Sequence, residues 1–310
     1  MTMSISSRDI LLLQTLKGFG NVAVRVVATE MLRCDVSDDK GLYELLQGLS
    51  RVKKLKPQIP TWDEFADAIE TAESLVERSS MRGIKMLTYL DPEFPQMLLT
   101  AVSEKGKSDV PLMIHYMGDL EVAKMTSLAV IGTREPNQAG QQAGEFFAAE
   151  FASCGVNIVS GLAVGCDTAG HKGALSVGGA TTAILAGGLD SIYPKENTKL
   201  AEQILEAGGL LISENPVGTA TNKYNLVSRD RLQAAMADAT LVVQTSVKGG
   251  TMHAARATLA SGKPLLIVDY KDKTDDVVKG NLLLRDMGAF ELSSSRWKED
   301  RQYYLNMLSR

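Results

Sequence analysis

Two stretches of this chain carry residue types and spacings suited to holding an anion. Gly132-Thr133-Arg134 follows the apolar run Leu128 to Ile131, and Ser160-Gly161 follows the run Val156 to Val159, with Gly165 standing just before Asp167. After the first run, Ala143, Phe147, Phe151 and Cys154 recur at helical spacing, so the pattern is a buried strand, a tight loop and a helix. Asp167 is a good N-cap for a second helix carrying Ala169, Leu175 and Val177. Unspent backbone N–H groups and the dipole at a helix start favour negative charge. A guanidinium such as that of Arg134 forks onto phosphate oxygens, and the Ser160 hydroxyl adds a further hydrogen bond. Glycines after strands also serve simply to turn the chain. Their combination with Arg134 and Ser160 favours a phosphate site at the carboxyl ends of the strands of an open sheet.

Other reactive residues offer less. Asp167 and His171 lie one helical turn apart and share a face, the spacing of an acid–base pair. An N-cap aspartate and a histidine packed on the sheet account for them without catalysis. His115 stands in an apolar run with no acidic or cysteine neighbour, and His253 falls in a turn before a helix; neither points to chemistry. Cys34, Cys154 and Cys166 form no C-x-x-C pair, which argues against a disulfide framework and against a zinc site, and Cys154 falls on an apolar helical stripe as a core residue. No metal and no cofactor is expected.

The elements that must position these loops follow from periodicity. Residues 8–33 predict two helices around L-K-G-F-G-N-V-A-V, either a helix-hairpin-helix whose turn faces a nucleic-acid phosphate or a plain helical hairpin. Helices follow over 38–49 and 62–78, making a small helical domain at 1–79, and the proline-dotted stretch 80–118 leads into the sheet with a strand near His115. Strands at Thr181–Leu185, Leu210–Ser213, Thr240–Gln244 and Leu265–Val268 alternate with helices at 196–207, 227–237, 251–261 and 275–287, and a last helix closes the chain. Such alternation predicts an α/β fold, a doubly wound and mostly parallel Rossmann-like sheet over 80–310. The A-G-G-L-D at 186–190 reads as a structural turn, and Trp297, Tyr303 and Tyr304 as core or interface.

The 310 residues are 45% hydrophobic and 23% charged, ordinary for a globular protein. No apolar stretch is long enough for a membrane span and no basic start precedes a signal-like core, so a cytoplasmic protein without membrane contact is expected. The net charge of −4 argues against an extended nonspecific nucleic-acid surface. Any such binding must be local.

Taken together, D-P-E-F-P-Q-M-L (91–98), A-V-I-G-T-R (129–134), S-G-L-A-V-G-C-D-T-A-G-H-K-G-A-L (160–175), G-G-L-D-S-I-Y-P-K-E-N (187–197), L-I-S-E-N-P-V-G-T (211–219), S-R-D-R-L (228–232), K-G-G-T-M-H-A-A-R (248–256) and G-N-L-L-L-R-D-M-G-A (280–289) resemble the DNA-processing protein A (DprA/Smf) family in order. The resemblance implies a homodimer that binds single-stranded DNA and hands it to the RecA recombinase in natural transformation or recombination, without bond-making chemistry. It implies DNA or phosphate contacts at Gly132, Thr133 and Arg134, at Ser160, Gly161, Gly165 and Lys172, at Arg229 and Arg231, and at Lys248, Gly249, Gly250 and Thr251. Asp230 stands where the family has Asn, and Leu226-Val227 where it has Phe-Pro, which puts a carboxylate beside the path and removes a stacking ring. The winged helix that many relatives append is not expected here.

Two other functions compete. A nucleotide phosphoribohydrolase of the lonely-guy kind carries P-G-G-x-G-T-x-x-E, and Gly250-Thr251 match its G-T, but Ala254 stands at the glutamate and removes the catalytic carboxylate. An acidic protein with a weakened stacking site also suits a sensor of free nucleotides or nucleotide-derived signals using the same pocket, as in defence against foreign DNA.

Overall fold

The computed structural model describes residues 5–34 and 36–308. Its contacts divide the chain into two units. The first runs to Phe94 and includes Leu112–His115; the second holds Pro95–Pro111 and the chain from Tyr116 onward.

The first unit packs α1 (Ser7–Thr15), α2 (Asn21–Met31), α3 (Asp39–Arg51) and α4 (Trp62–Ser80), followed by β1 (Lys85–Thr88). Capping boxes start two of these helices, Ser6 with Asp9 and Thr61 with Glu64, each satisfying backbone donors that a helix start leaves open. Ile10, Leu12, Leu13, Val24, Leu46 and Phe65 are fully buried between the helices. Arg8 ties α1 to the others through the carboxylates of Asp39 and Glu73. The boundary expected at 79/80 lies inside this unit, because Met86, Tyr89, Leu90, Leu112 and Met113 pack on the helical core and Arg25 lies 4.4 Å from the centre of the Tyr89 ring. In the turn between α1 and α2, Gly18 takes φ +84°, and the amides of Phe19 and Gly20 are spent on Leu16 and Gly18 carbonyls.

β2 (Met113–Gly118) precedes the second unit's repeating strands. These are β3 (Ser127–Ile131), β4 (Asn157–Ser160), β5 (Thr181–Leu185), β6 (Leu210–Ser213), β7 (Ala239–Val242), β8 (Leu265–Val268) and β9 (Phe290–Leu292). They alternate with α5 (Gln138–Ala152), α6 (Cys166–Ser176), α7 (Thr198–Glu206), α8 (Lys223–Met236), α9 (Thr251–Ala260), α10 (Lys279–Asp286) and α11 (Trp297–Leu308). The strands pair in the order β6-β5-β4-β3-β7-β8-β9, every pair parallel. β3 through β8 are buried along their whole length, as strands covered on both faces by helices must be. Phe147, Phe151, Trp297 and Tyr304 form an aromatic cluster on one side, where α11 closes the core.

The chain starts in the middle of this sheet at β3, winds outward to β6, then returns to the other side of β3 as β7. A crevice opens outside the carboxyl ends of strands at such a reversal. Cys154 is exposed rather than core, because α5 ends at Ala152 and the turn through Gly155 (φ +79°) carries the cysteine to solvent. Among the described residues no helix is long and apolar enough to cross a membrane.

Candidate functional site

A cleft of about 670 Å³ lies where the β3 and β7 loops diverge, lined by Gly132, Thr133 and Arg134 after β3 and by Gly249, Gly250 and Thr251 at the start of α9. α8 forms another wall through Leu226, Val227, Arg229, Asp230 and Gln233. A smaller cavity of about 130 Å³ adjoins it and shares Arg134, Tyr193, Leu226 and Arg229.

The helix starts that the sequence suggested for an anion are partly spent on the protein itself. At α5, the Asn137 side chain accepts from the Gly140 amide (2.9 Å), while Gln244 accepts from the Asn137 amide (3.1 Å) and donates to its side-chain oxygen (2.9 Å). At α6 the N-cap is Gly165, not Asp167, and the Cys166 amide donates to the Thr133 carbonyl at 3.1 Å. Gly165 sits at φ +85°, and a Cβ there would collide with the Thr133 and Arg134 carbonyls. Its glycine serves the close approach of two loops rather than a phosphate. At the start of α9 the amides of Gly250 and Thr251 have no hydrogen-bond partner among the described residues, and both residues line the cleft. That helix start retains donors for an anion.

The cationic residues divide just as sharply. Arg134 is exposed, lines both cavities and makes no hydrogen bond or ion pair among the described residues. Lys223, at the start of α8, is likewise exposed on the cleft with no such partner; the periodicity that places a helix over 227–237 starts too late to include it. Arg231, expected on a phosphate, is instead buried and saturated. Its Nη2 donates to both Glu214 oxygens (2.8 and 2.7 Å), Nη1 to the Ser228 carbonyl (2.6 Å) and hydroxyl (3.1 Å), and Nε to the Asp109 carbonyl (2.9 Å). Lys172 and Lys248 are exposed but line neither cavity.

Arg229 is buried in the wall. Its Nη1 donates to the Ile184 carbonyl (3.1 Å) and lies 3.8 Å from the Asp167 carboxylate, while Asp230 approaches Nε at 3.4 Å. Nε has no hydrogen-bond partner. Gln233, oriented by its neighbours, accepts from the Gly161 amide (2.5 Å) and from Arg229 (3.1 Å) and donates to Asp230 (3.2 Å). A Cβ on Gly161 would overlap the Arg229 guanidinium and the Asp167 carboxylate, so this glycine makes room for a side chain of its own protein. Ser160, also expected on a phosphate, is fully buried and donates to the Val130 carbonyl at 2.6 Å, stitching β4 to β3. Burial pushes the Asp230 carboxyl up to about 6, with Arg229 opposing the rise. Asp167 and Asp230 thus flank the buried Arg229 guanidinium.

His171 is fully buried, with Nε2 at 2.6 Å from the Gly161 carbonyl and Nδ1 at 2.7 Å from the Thr181 hydroxyl. Burial holds its pKa below the ordinary value, and the ring brackets the β4 and β5 segments. His253 pairs with Glu104 at 3.2 Å on the surface. Asp190 accepts from the Gly218 amide (2.9 Å), consistent with a turn. The sequence reading passed over Tyr193, which lines both cavities and is 49% exposed, although it lies within the quoted 187–197 stretch.

The profile of the family described as DNA recombination-mediator protein A matches residues 85–297. The chain belongs to this family. Protein Smf of Escherichia coli strain K12 is 36% identical over 175 residues, 56% of this chain and 45% of that protein. The chain spans about half the length of the curated relatives it matches first. DNA processing protein A from Streptococcus pneumoniae superposes with TM-score 0.77 at 23% identity, over 96% of this chain and 99% of that one, which establishes the common fold. DNA processing protein A from Helicobacter pylori, solved for its single-stranded DNA binding mode, superposes with TM-score 0.57 at 28% identity, over 67% of this chain and 90% of that one.

Proposed function

We propose that the second unit of this DNA recombination-mediator protein binds single-stranded DNA in the cleft between the β3 and β7 loops and performs no bond-making chemistry. The observation that carries this reading is the convergence of two unpaired cations, Arg134 and Lys223, with the open start of α9 on one cleft at the sheet's reversal point. The solved single-stranded DNA binding mode of the Helicobacter pylori relative supports it. Few cations face the cleft, so a short footprint with a modest salt slope follows. Ala254, which lines the cleft where the related hydrolases carry glutamate, supports binding without hydrolysis. Delivery of the strand to RecA and a homodimeric state belong to the same proposal and rest on the family resemblance; the cytoplasmic setting belongs to it as the expectation read from the sequence.

Fluorescence anisotropy with a labelled poly-dT strand, at two salt concentrations and with duplex and mononucleotide competitors, tests it. Salt-sensitive binding that resists both competitors is expected. Full displacement by a mononucleotide would assign the cleft to a small ligand instead.

A further inference from the structure

The charges of the first unit are sorted by element. α4 carries six exposed carboxylates between Asp63 and Glu77, whereas the segment from Arg51 to Pro60 holds four cations and no carboxylate. The chain leaves α3 through a Schellman turn, in which the Lys53 amide donates to the Ser50 carbonyl and the Lys54 amide to the Leu49 carbonyl, each at 2.9 Å. That turn holds Lys53 at φ +58°, and among the described residues no other non-glycine has a positive φ. Glycine adopts this conformation without steric cost and lysine does not, so the chain carries a cation where its backbone favours glycine. Leu55 is buried in the helical core and anchors the segment, while Lys53, Lys54 and Lys56 beside it are exposed.

This segment lies along α2. Lys54 donates to Glu30 near the end of α2 at 3.0 Å, and a Cβ on Gly18, just before α2 begins, would lie 3.7 Å from the Pro57 side chain. The Gly18 turn adds exposed Lys17 to the same band. Lys54 is paired, but the side chains of Lys17, Arg51, Lys53 and Lys56 make no hydrogen bond or ion pair among the described residues. Gathered like charges repel one another, and an anion laid across them relieves that repulsion. The start of α2 has the same sign of field, and Gly20 offers it no side-chain cap. A small anion would reach one or two of these groups, whereas a phosphodiester strand repeats its charge and meets them in series. Lysine ammonium groups on flexible stems suit such contacts, which hold a backbone without reading its bases.

We propose that the band formed by Lys17, Arg51, Lys53, Lys54 and Lys56 is a second contact surface for the phosphate backbone of single-stranded DNA, separate from the cleft of the second unit. It takes its occupant from the single-stranded DNA reading, but none of its geometry. The net charge of −4 is compatible with it, because the cations are gathered locally and the carboxylates of this unit collect on α4. The cleft offers few cations, and the band lengthens the electrostatic footprint that the strand can use.

The test measures the salt slope of binding to a long labelled poly-dT strand by anisotropy, using the full chain. A triple variant, Arg51→Gln with Lys53→Gln and Lys56→Gln, neutralises exposed side chains that hold no partner, and its melting temperature checks that it folds. Loss of three phosphate contacts should lower the slope by about 2. A control that neutralises the exposed Lys199, Lys298 and Arg301 in the second unit changes the net charge equally and should leave the slope unaltered. The same fall should appear when the triple variant is made in an Arg134→Ala background, since the cleft and the band act separately. Equal slopes for the unaltered protein and the triple variant overturn the band and leave the cleft reading standing. An equal fall in the control also overturns it, by assigning the effect to net charge. An unchanged strand slope with loss of binding to poly-glutamate overturns it in favour of an acidic protein partner. A slope that falls in the triple variant but not in Arg134→Ala supports the band and removes Arg134 from the strand's path. Failure of the unaltered protein to bind the strand overturns both readings.

Discussion

Arg231 separates a structural role from a DNA contact more cleanly than any other position. All its N–H groups are engaged, two of them by the bidentate Glu214 carboxylate at 2.8 and 2.7 Å, and the side chain is 7% exposed. Arg231→Ala therefore breaks a buried pair and strips partners from the Asp109 carbonyl and the Ser228 carbonyl and hydroxyl. Removing one partner of a buried pair costs on the order of 3–5 kcal/mol. Glu214 and Asp109 keep side-chain exposures of 21% and 41%, so water can partly solvate what is left, and the lower end applies. About 3 kcal/mol corresponds to a fall of roughly 6–12 °C in the melting transition of a unit this size. Differential scanning calorimetry reads the shift, and anisotropy below the transition reads DNA binding. The variant should be destabilised while its salt slope, measured where it is folded, matches that of the unaltered protein. An unchanged melting temperature together with a shallower salt slope would refute the reasoning and return Arg231 to the DNA path.

Three further outcomes follow from buried groups. Burial pushes His115 down to about 4, below its unfolded value, so the folded state binds fewer protons and stability is lost as pH falls from about 6.5 towards 4; the linked loss is on the order of 3 kcal/mol, and urea titrations of a His115→Phe variant should show it removed. Asp230 has the opposite sign, since its folded pKa of about 6 lies above the unfolded carboxylate value and its contribution is lost as pH rises through that window. Asp230→Asn should therefore tighten strand binding several-fold at pH 7.5 by removing a carboxylate from the cleft, with the advantage shrinking below pH ~6 as the native carboxyl protonates. Gly161→Ala forces a methyl group against Arg229 and Asp167 and should destabilise the second unit by about 1–3 kcal/mol, measurable by urea denaturation.

Much of the α/β architecture was legible because each central strand is a short, mostly apolar run between helical patterns. Thr181–Leu185, Leu210–Ser213 and Leu265–Val268 have the bounds read from sequence. β9 was not, since Phe-Glu-Leu is too short to show a period, and α8 starts earlier than its apolar residues suggest because Asn222 caps it through the Asn225 amide. The loops after β3 and before α9, read as parts of one site, line one cleft. What sequence cannot display is which donors the protein spends on itself. Ser160, Gly161 and Gly165 have the types of a phosphate loop, yet one is tied to Val130 and the others make room for Arg229 and for the Thr133–Arg134 backbone. Arg229 and Arg231 look equivalent in Ser-Arg-Asp-Arg, but helical geometry sends one to the cavity wall and the other to Glu214. Tyr193 was hidden by distance, since only the sheet brings the loop after β5 to the same cleft as α8.

The central claim is that Arg134 contributes a phosphate contact to a single-stranded DNA site. Its most direct test is the slope of the logarithm of affinity for a poly-dT strand against the logarithm of salt concentration, measured for the unaltered protein and for Arg134→Ala. Loss of one phosphate contact should reduce the slope by about 0.7 and weaken binding across sequences alike. An unchanged slope, or an unaltered protein that binds no strand, would contradict the account.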